Sequence, residues 1–236
     1  MSILLTGGSG ALGTELQKLE DFIAPSHKEL DITSERSISD FFEEYSPNLI
    51  VHCAAYTDVS KAETEKKKCY DINVRGTANL AKYGIPMVYI STEYVFDGEK
   101  GNYTEQDIPN PRNFYALTKL LGEFEVKRTQ SLIIRTILKP KPFEHAAACT
   151  NQYTAGDYVD VIAKEIMITI DNFDFIFNYS NHEILNIGTG RKSVFDLASQ
   201  TREVIPITVE TIGIRLPKDT SLDLTKWNKF KEHLCI

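Results

Sequence analysis

No apolar run in this chain approaches the ~20 residues needed to span a bilayer, so no membrane partner is expected. Only four cysteines occur (Cys53, Cys69, Cys149 and Cys235), without a CxxC pair or any metal-ligand spacing. Neither a disulfide framework nor a metal site is therefore expected, and reduced thiols in a cytoplasmic protein are the simplest account. The five histidines are equally dispersed. Basic charge is in the minority: 26 Lys and Arg against 33 Asp and Glu leave a net charge of -7, which argues against a nucleic-acid surface. The mixed-sign run from Glu63 to Lys68 reads as a solvated helix face. Met1 leads directly into Ile3-Leu4-Leu5, which leaves no room for a signal peptide. No internal repeat or low-complexity segment stands out.

What the chain does contain is alternation. Strand-length apolar runs at 3–5, 22–24, 49–53, 87–90 and 132–135 are separated by helix-periodic segments at 12–19, 37–45, 61–83 and 113–128. This pattern predicts an α/β fold, a doubly wound, Rossmann-type parallel sheet covered on both faces. Beyond Arg135 the regularity weakens. Lys139-Pro140-Lys141-Pro142 cannot lie inside a helix and reads as an extended connector. Further on, 158–170 and 193–204 look helical and 183–187 looks like a strand. The division expected is a dinucleotide-binding core at 1–138 and a small substrate-side cap at 139–236, interleaved with the core.

Five features carry chemistry. Thr6-Gly7-Gly8-Ser9-Gly10-Ala11-Leu12-Gly13 follows the first strand and opens a helix, so backbone N–H groups can approach a pyrophosphate. Glycine-rich strand–helix turns also occur without ligands. At the end of the second strand, Ala24-Pro25-Ser26-His27-Lys28 has no acid at its tip. The hydroxyl, imidazole and ammonium of Ser26, His27 and Lys28 would suit the 2′-phosphate of NADP(H), the preferred cofactor, although NAD(H) stays possible and His27 and Lys28 could be ordinary loop residues. Asp31 is better placed near the adenine. Small residues Ala54 and Ala55, after the 49–53 strand, would let a flat cofactor pass, or would serve tight helix–sheet packing. Tyr115 and Lys119 lie four residues apart and share a helix face. The lysine would pull a phenol with an ordinary pKa of ~10 toward neutrality. Ser91 and Thr92, at the end of the 87–90 strand, could orient a carbonyl toward Tyr115 or simply form a turn.

Together, TGGSGALG (6–13), ELDIT (29–33), VHCAAYTDVSKAE (51–63), INVRGTANLA (72–81), YISTEYVFDG (89–98) and YALTKLLGE (115–123) resemble the extended short-chain dehydrogenase/reductase family. Within it the chain is similar to the dTDP-4-dehydrorhamnose reductase-like group of NDP-sugar reductases and epimerases. IIRT (133–136), NQYTAGDYVDVIA (151–163), ILNIGTG (184–190) and LPKDTSLD (216–223) extend the resemblance nearly end to end. It implies a catalytic set of Thr92, Tyr115 and Lys119, with Tyr115 as general acid, Lys119 on the nicotinamide ribose and hydride delivered to C4 of a 4-keto-6-deoxy sugar nucleotide. It implies cofactor contacts from Gly7, Ser9, Gly10, Ala11, Leu12 and Gly13, and from Asp31, Ile32, Ala54, Ala55 and Tyr56. Asn73 matches a helix asparagine that orders the site.

Family members usually continue after the IIRT strand with an aromatic-glycine turn and a long helix, which this chain shortens. Glu93, Val95, Lys139, Lys141 and Gln152 are the substrate-side candidates; the two lysines could meet a diphosphate or be solvated connector residues. The helices at 61–83 and 113–128 could pair in a homodimer, as in many relatives, or stay solvated. Two further functions are compatible with the resemblance. One is an NDP-sugar epimerase or dehydratase that retains its cofactor. The other is a non-catalytic NADP-binding regulatory subunit resembling the methionine adenosyltransferase β subunit.

Overall fold

The computed structural model describes residues 2–176, 182–212 and 217–235; Leu216 of the LPKDTSLD motif lies outside them. Its strands are β1 (Ile3–Thr6), β2 (Leu49–His52), β3 (Met87–Ile90), β4 (Ser131–Arg135), β5 (Leu138–Lys139), β6 (Ala147–Cys149), β7 (Tyr153–Thr154), β8 (Asp157–Tyr158), β9 (His182–Asn186), β10 (Lys192–Ser193) and β11 (Ile205–Ile207). The helices are α1 (Ala11–Leu16), α2 (Glu35–Glu44), α3 (Val59–Ala62), α4 (Lys66–Tyr70), α5 (Thr77–Ala81), α6 (Phe114–Val126), α7 (Val159–Asp171), α8 (Phe173–Ile176), α9 (Val194–Ala198) and α10 (Thr225–His233).

Five parallel strands form the central sheet in the order β1-β2-β3-β4-β9. Successive side chains on a strand point to opposite faces, and the sheet separates two cores accordingly. Leu5, Val51, Val88 and Ile134 pack with Leu12 and Leu16 of α1, with Ile162 and Ile166 of α7, and with Trp227 of α10. Leu4, Ile50, Tyr89 and Ile133 pack with Ile38 and Phe41 of α2, Leu80 of α5 and Val126 of α6. Each fully buried Leu or Ile contributes about 1.5–3 kcal/mol over its exposed state. The sheet is thus covered on both faces, the doubly wound arrangement that the alternation predicts. Residues 139–236 supply α7, α10 and β9 to these layers, and no helix intervenes between β4 and α7.

Several elements differ from the sequence pattern. The expected strand at 22–24 shrinks to a single bridge, Ile23 beside Leu4, on the side of β1 away from β2. Ile23 exchanges hydrogen bonds with Ile3 and Leu5 (2.9 and 2.8 Å), but Pro25 has no N–H with which to extend the ladder. The strand order nevertheless reverses at β1, which places a crevice beyond its carboxyl end. The expected helix at 61–83 is divided. α3 stops at Ala62, and the helix restarts at Lys66 and runs to Ala81 through a π-helical turn, Asp71–Gly76. The expected helix at 193–204 ends at Ala198, where the Ser199 hydroxyl turns back onto the Phe195 carbonyl (2.8 Å). Nothing in the periodicity pointed to α10, whose buried anchor is a lone Trp227 with its indole donating to Glu165 of α7 (2.6 Å).

Gly122 is where α6 meets the sheet and the π-turn. A Cβ there would lie 2.2 Å from the Tyr89 hydroxyl and 2.9 Å from the Asn73 carbonyl, so both α6 and the turn would have to move. Gly122→Ala should therefore destabilise the fold by about 1–3 kcal/mol despite its gain in helix propensity. Chemical denaturation of the two proteins checks this; an unchanged midpoint would refute the close approach.

Candidate active site

A cleft of about 740 Å³ opens beyond the carboxyl ends of β1, β2 and β3. One end is built by the glycine loop. Gly7 has a φ of 74°, and a Cβ on it would lie 2.6 Å from the Ala54 nitrogen. On Gly13 a Cβ would meet the Gly7 carbonyl at 2.4 Å, so glycine lets α1 start this close to β1. At Gly10 a Cβ would touch only the Gly7 carbonyl, at 3.2 Å, leaving open space in front of the loop. Gly10 caps α1 without a side-chain hydrogen bond, so the first-turn N–H groups have no side-chain partner. This cradle, lined by Gly7, Ser9, Gly10, Ala11, Leu12 and Gly13, fits the pyrophosphate of a dinucleotide.

His27, Asp31, Ile32, Ala54 and Ala55 also line the cleft, whereas Ser26 and Tyr56 do not. The tip after Ile23 is less free of acid than its first residues imply. Glu29 folds back so that its carboxylate accepts the Ser26 N–H (2.8 Å), and this bond holds Glu29 below the usual carboxylate range. Asp31 is occupied too, accepting from the Thr33 N–H and hydroxyl (2.9 and 2.7 Å).

Thr92, Tyr115 and Lys119 converge at the other end. Asn113 caps α6 by accepting the Ala116 N–H (2.8 Å), which places Tyr115 in the first turn and Lys119 one turn on. Thr92 caps the short 3₁₀ turn Glu93–Val95, accepting the Tyr94 N–H (3.2 Å). Burial pushes the Tyr115 phenol upward, and the neighbouring Thr92 hydroxyl opposes it. The lowering expected from Lys119 is not among the influences on this phenol, and desolvation dominates. Burial also brings Lys119 down to about 8, and its ammonium stands 4.1 Å from the centroid of the Tyr89 ring.

Behind this surface lies a buried hydrogen-bond network. Asn73 does not touch the cleft: its side chain accepts the Tyr56 N–H (2.7 Å) and donates to the Tyr56 carbonyl (3.1 Å) and the Thr118 hydroxyl (2.9 Å). Thr118 in turn donates to the Tyr115 carbonyl (2.7 Å). His52, to which the sequence reading gave no role, bridges the hydroxyls of Thr6 (2.7 Å) and Thr77 (2.9 Å). Burial lowers its pKa to about 3, so it is neutral. Its position inside VHCAA was the available signal.

The substrate-side candidates scatter. Lys139 lines the cleft. Val95 is wholly buried in a small apolar cluster, and Gln152 donates to the Pro217 carbonyl (3.2 Å). Lys141 pairs with Asp160 at 2.7 Å on the surface. Glu93 turns inward, 1% exposed, and accepts from Thr154 (2.9 Å) and Thr220 (2.6 Å). Lys141 and Glu93 leave the cleft because each finds a partner elsewhere, one on α7 and the other under the turn.

Burial raises the Glu93 carboxyl to about 7, against the hydrogen bonds of the two threonines. The folded protein then holds this proton more tightly than the unfolded chain. The associated stability is complete below the ordinary value of 4.5 and is lost as pH rises through about 7. Between those limits Glu93→Gln should remove a decline of up to a few kcal/mol. Thermal unfolding of both proteins across this interval checks it; parallel curves would refute the assignment.

Among the described residues no helix is long and apolar enough to cross a membrane. The dTDP-4-dehydrorhamnose reductase of Aggregatibacter actinomycetemcomitans is 33% identical over 187 residues, which cover 74% of this chain and 58% of that protein. Methionine adenosyltransferase 2 subunit beta of Rattus norvegicus is 33% identical over 139 residues, 51% of this chain and 41% of that protein. The chain therefore spans less than two thirds of the length of either relative. The crystal structure of dTDP-4-dehydrorhamnose reductase (rfbD) from Bacillus anthracis, in complex with NADP, has a TM-score of 0.82 at 28% identity and covers 97% of this chain and 93% of its own. The family model of the RmlD substrate binding domain matches residues 1–138, more than half of the sequence, and the chain belongs to this family, an RmlD-like branch of the extended short-chain dehydrogenases/reductases.

Proposed function

We propose that this chain is an NADP(H)-dependent reductase of a nucleotide-activated 4-keto-6-deoxy sugar, with Thr92, Tyr115 and Lys119 as its catalytic residues. The observation that carries this reading is that one cleft has the glycine cradle at one end and these three side chains at the other. The Aggregatibacter relative is named for the same reaction class, and the Bacillus anthracis neighbour holds NADP. Four unpaired cysteines agree with a reducing, cytoplasmic setting. When bound, a reduced nicotinamide would supply hydride to the sugar C4.

The chain's own residues handle the proton. Raised by burial, the Tyr115 phenol stays protonated at neutral pH and can donate to the carbonyl oxygen as negative charge develops there. The Thr92 hydroxyl would hydrogen-bond the same oxygen and hold it in line. At about 8, Lys119 keeps most of its charge near pH 7, so it can hold ribose hydroxyls and stabilise the phenolate left behind. His27 at the adenosine end is the group we assign to the 2′-phosphate. Leu117 and Phe124, exposed on α6, mark the face through which two copies would pair.

The purified protein should oxidise NADPH when given a dTDP-4-keto-6-deoxy sugar, and Tyr115→Phe should lose about 10²–10⁴ of that rate. A normal rate in the Phe variant would overturn the assigned mechanism. The match to the methionine adenosyltransferase subunit, 33% identical over 139 residues, supports a second reading as a non-catalytic NADP-binding subunit. Co-purification with a larger enzyme, and no turnover across a panel of sugar nucleotides, would favour it. Cofactor retained through purification without net NADPH consumption would instead favour an epimerase or dehydratase.

A further inference from the structure

Tyr115, Lys119 and Glu123 follow one another at steps of four along α6 and share one helix face. Glu123 is 2% exposed, and both of its carboxylate oxygens are engaged. Oε1 accepts from the Ser91 hydroxyl (2.6 Å) and Arg135 Nε (3.0 Å), and Oε2 accepts from Arg135 Nη2 (2.7 Å). Ser91 directly precedes Thr92 at the end of β3, and Arg135 ends β4 with its guanidinium 5.2 Å from the centroid of the Phe96 ring. One carboxylate therefore ties the helix that carries Tyr115 and Lys119 to the strand end that carries Thr92.

The electrostatics point the same way. Against the burial that lowers Lys119 stand three groups that raise it: Cys53, Glu123 and Cys69. Burial holds the Cys53 thiol at about 12 and raises the Cys69 thiol as well, so neither carries charge at neutral pH. His52 is neutral, and Tyr89 and Tyr115 are both pushed above the ordinary phenol value. Of the three groups that raise Lys119 only Glu123 is a carboxylate, and it is itself paired with the Arg135 guanidinium at 2.7 Å.

We propose that Glu123 is a positioning residue, holding Lys119 and Thr92 in register across the cleft. The catalytic part of this inference rests on the reductase reading above. A buried ion pair kept only for the fold could be replaced by apolar residues with little harm. One that sets the spacing of two site residues could not.

The test measures acetylation of Lys119 by acetic anhydride as a function of pH, read by peptide mass spectrometry on the cofactor-free protein, because only the neutral amine reacts. In the native protein the labelling rate should break near 8. In Glu123→Gln the break should fall by about one unit or more, and kcat for sugar reduction should drop about tenfold or more with little change in KM. The double variant Glu123→Leu/Arg135→Met removes both charges. It should recover the thermal midpoint while keeping the lowered kcat. A native break in Glu123→Gln, or native kcat in the double variant, would overturn the proposal. If the native protein turns over no sugar, the reductase reading fails, and the labelling break in Glu123→Gln still decides whether Glu123 holds Lys119 in place.

Discussion

Asn73 stands in a π-turn, and its side chain joins two other pieces of chain. It accepts from and donates to the backbone of Tyr56, which follows β2, and it donates to Thr118 on α6. Thr118 then holds the carbonyl of Tyr115. A buried amide has costly polar groups to satisfy, so leaving any of these partners is unfavourable, and the segments keep their spacing. The wall of the cofactor cleft and the start of the catalytic helix are thereby fixed to one another. His52, joining Thr6 below the glycine loop to Thr77 in the next helical turn, continues the same linkage to β1.

Burial has a second consequence, in charge. The same desolvation drives the Tyr115 phenol up, Lys119 down to about 8, Glu93 up to about 7 and His52 down to about 3. In each case the charged form is disfavoured, as it is for any ionisable group withdrawn from water. The outcome near pH 7 is a protonated phenol beside a cation that is largely retained, which suits donation of a proton to a substrate oxygen. A Tyr–Lys pair on an exposed helix would have Coulomb attraction as its main influence, and the phenol would move the other way.

Much of this was legible in the residues themselves. The alternation of apolar runs with helical periodicity anticipated the parallel sheet, because strands buried on both faces need continuous Leu, Ile and Val. The glycine loop was legible because only glycine accommodates the approach of Gly7 to Ala54 and of Gly13 to Gly7. The four-residue spacing of Tyr115 and Lys119 was legible because helical geometry repeats. Less visible was the break after Ala62, where Thr64 and Glu65 carry no strong stop signal. α10 was not visible at all, since its attachments, Trp227 and Lys231 to Glu165 on α7 and Lys226 to β9, all lie far away in the chain.

Local sequence therefore determined the main strands and helices of the central layers, where glycine is required and which side chains share a helix face, since these follow from backbone sterics and periodicity. Only the tertiary structure decided where the ionisable groups came to rest. Glu93 and Lys141 stand among candidate substrate contacts in the sequence, yet one ends beneath Thr154 and Thr220 and the other beside Asp160. Glu123 and Arg135 stand in motifs that assign them no role, yet they meet between α6 and β4 behind Lys119. Desolvation and pairing depend on residues distant in the chain, and those partners exist only once the layers have packed.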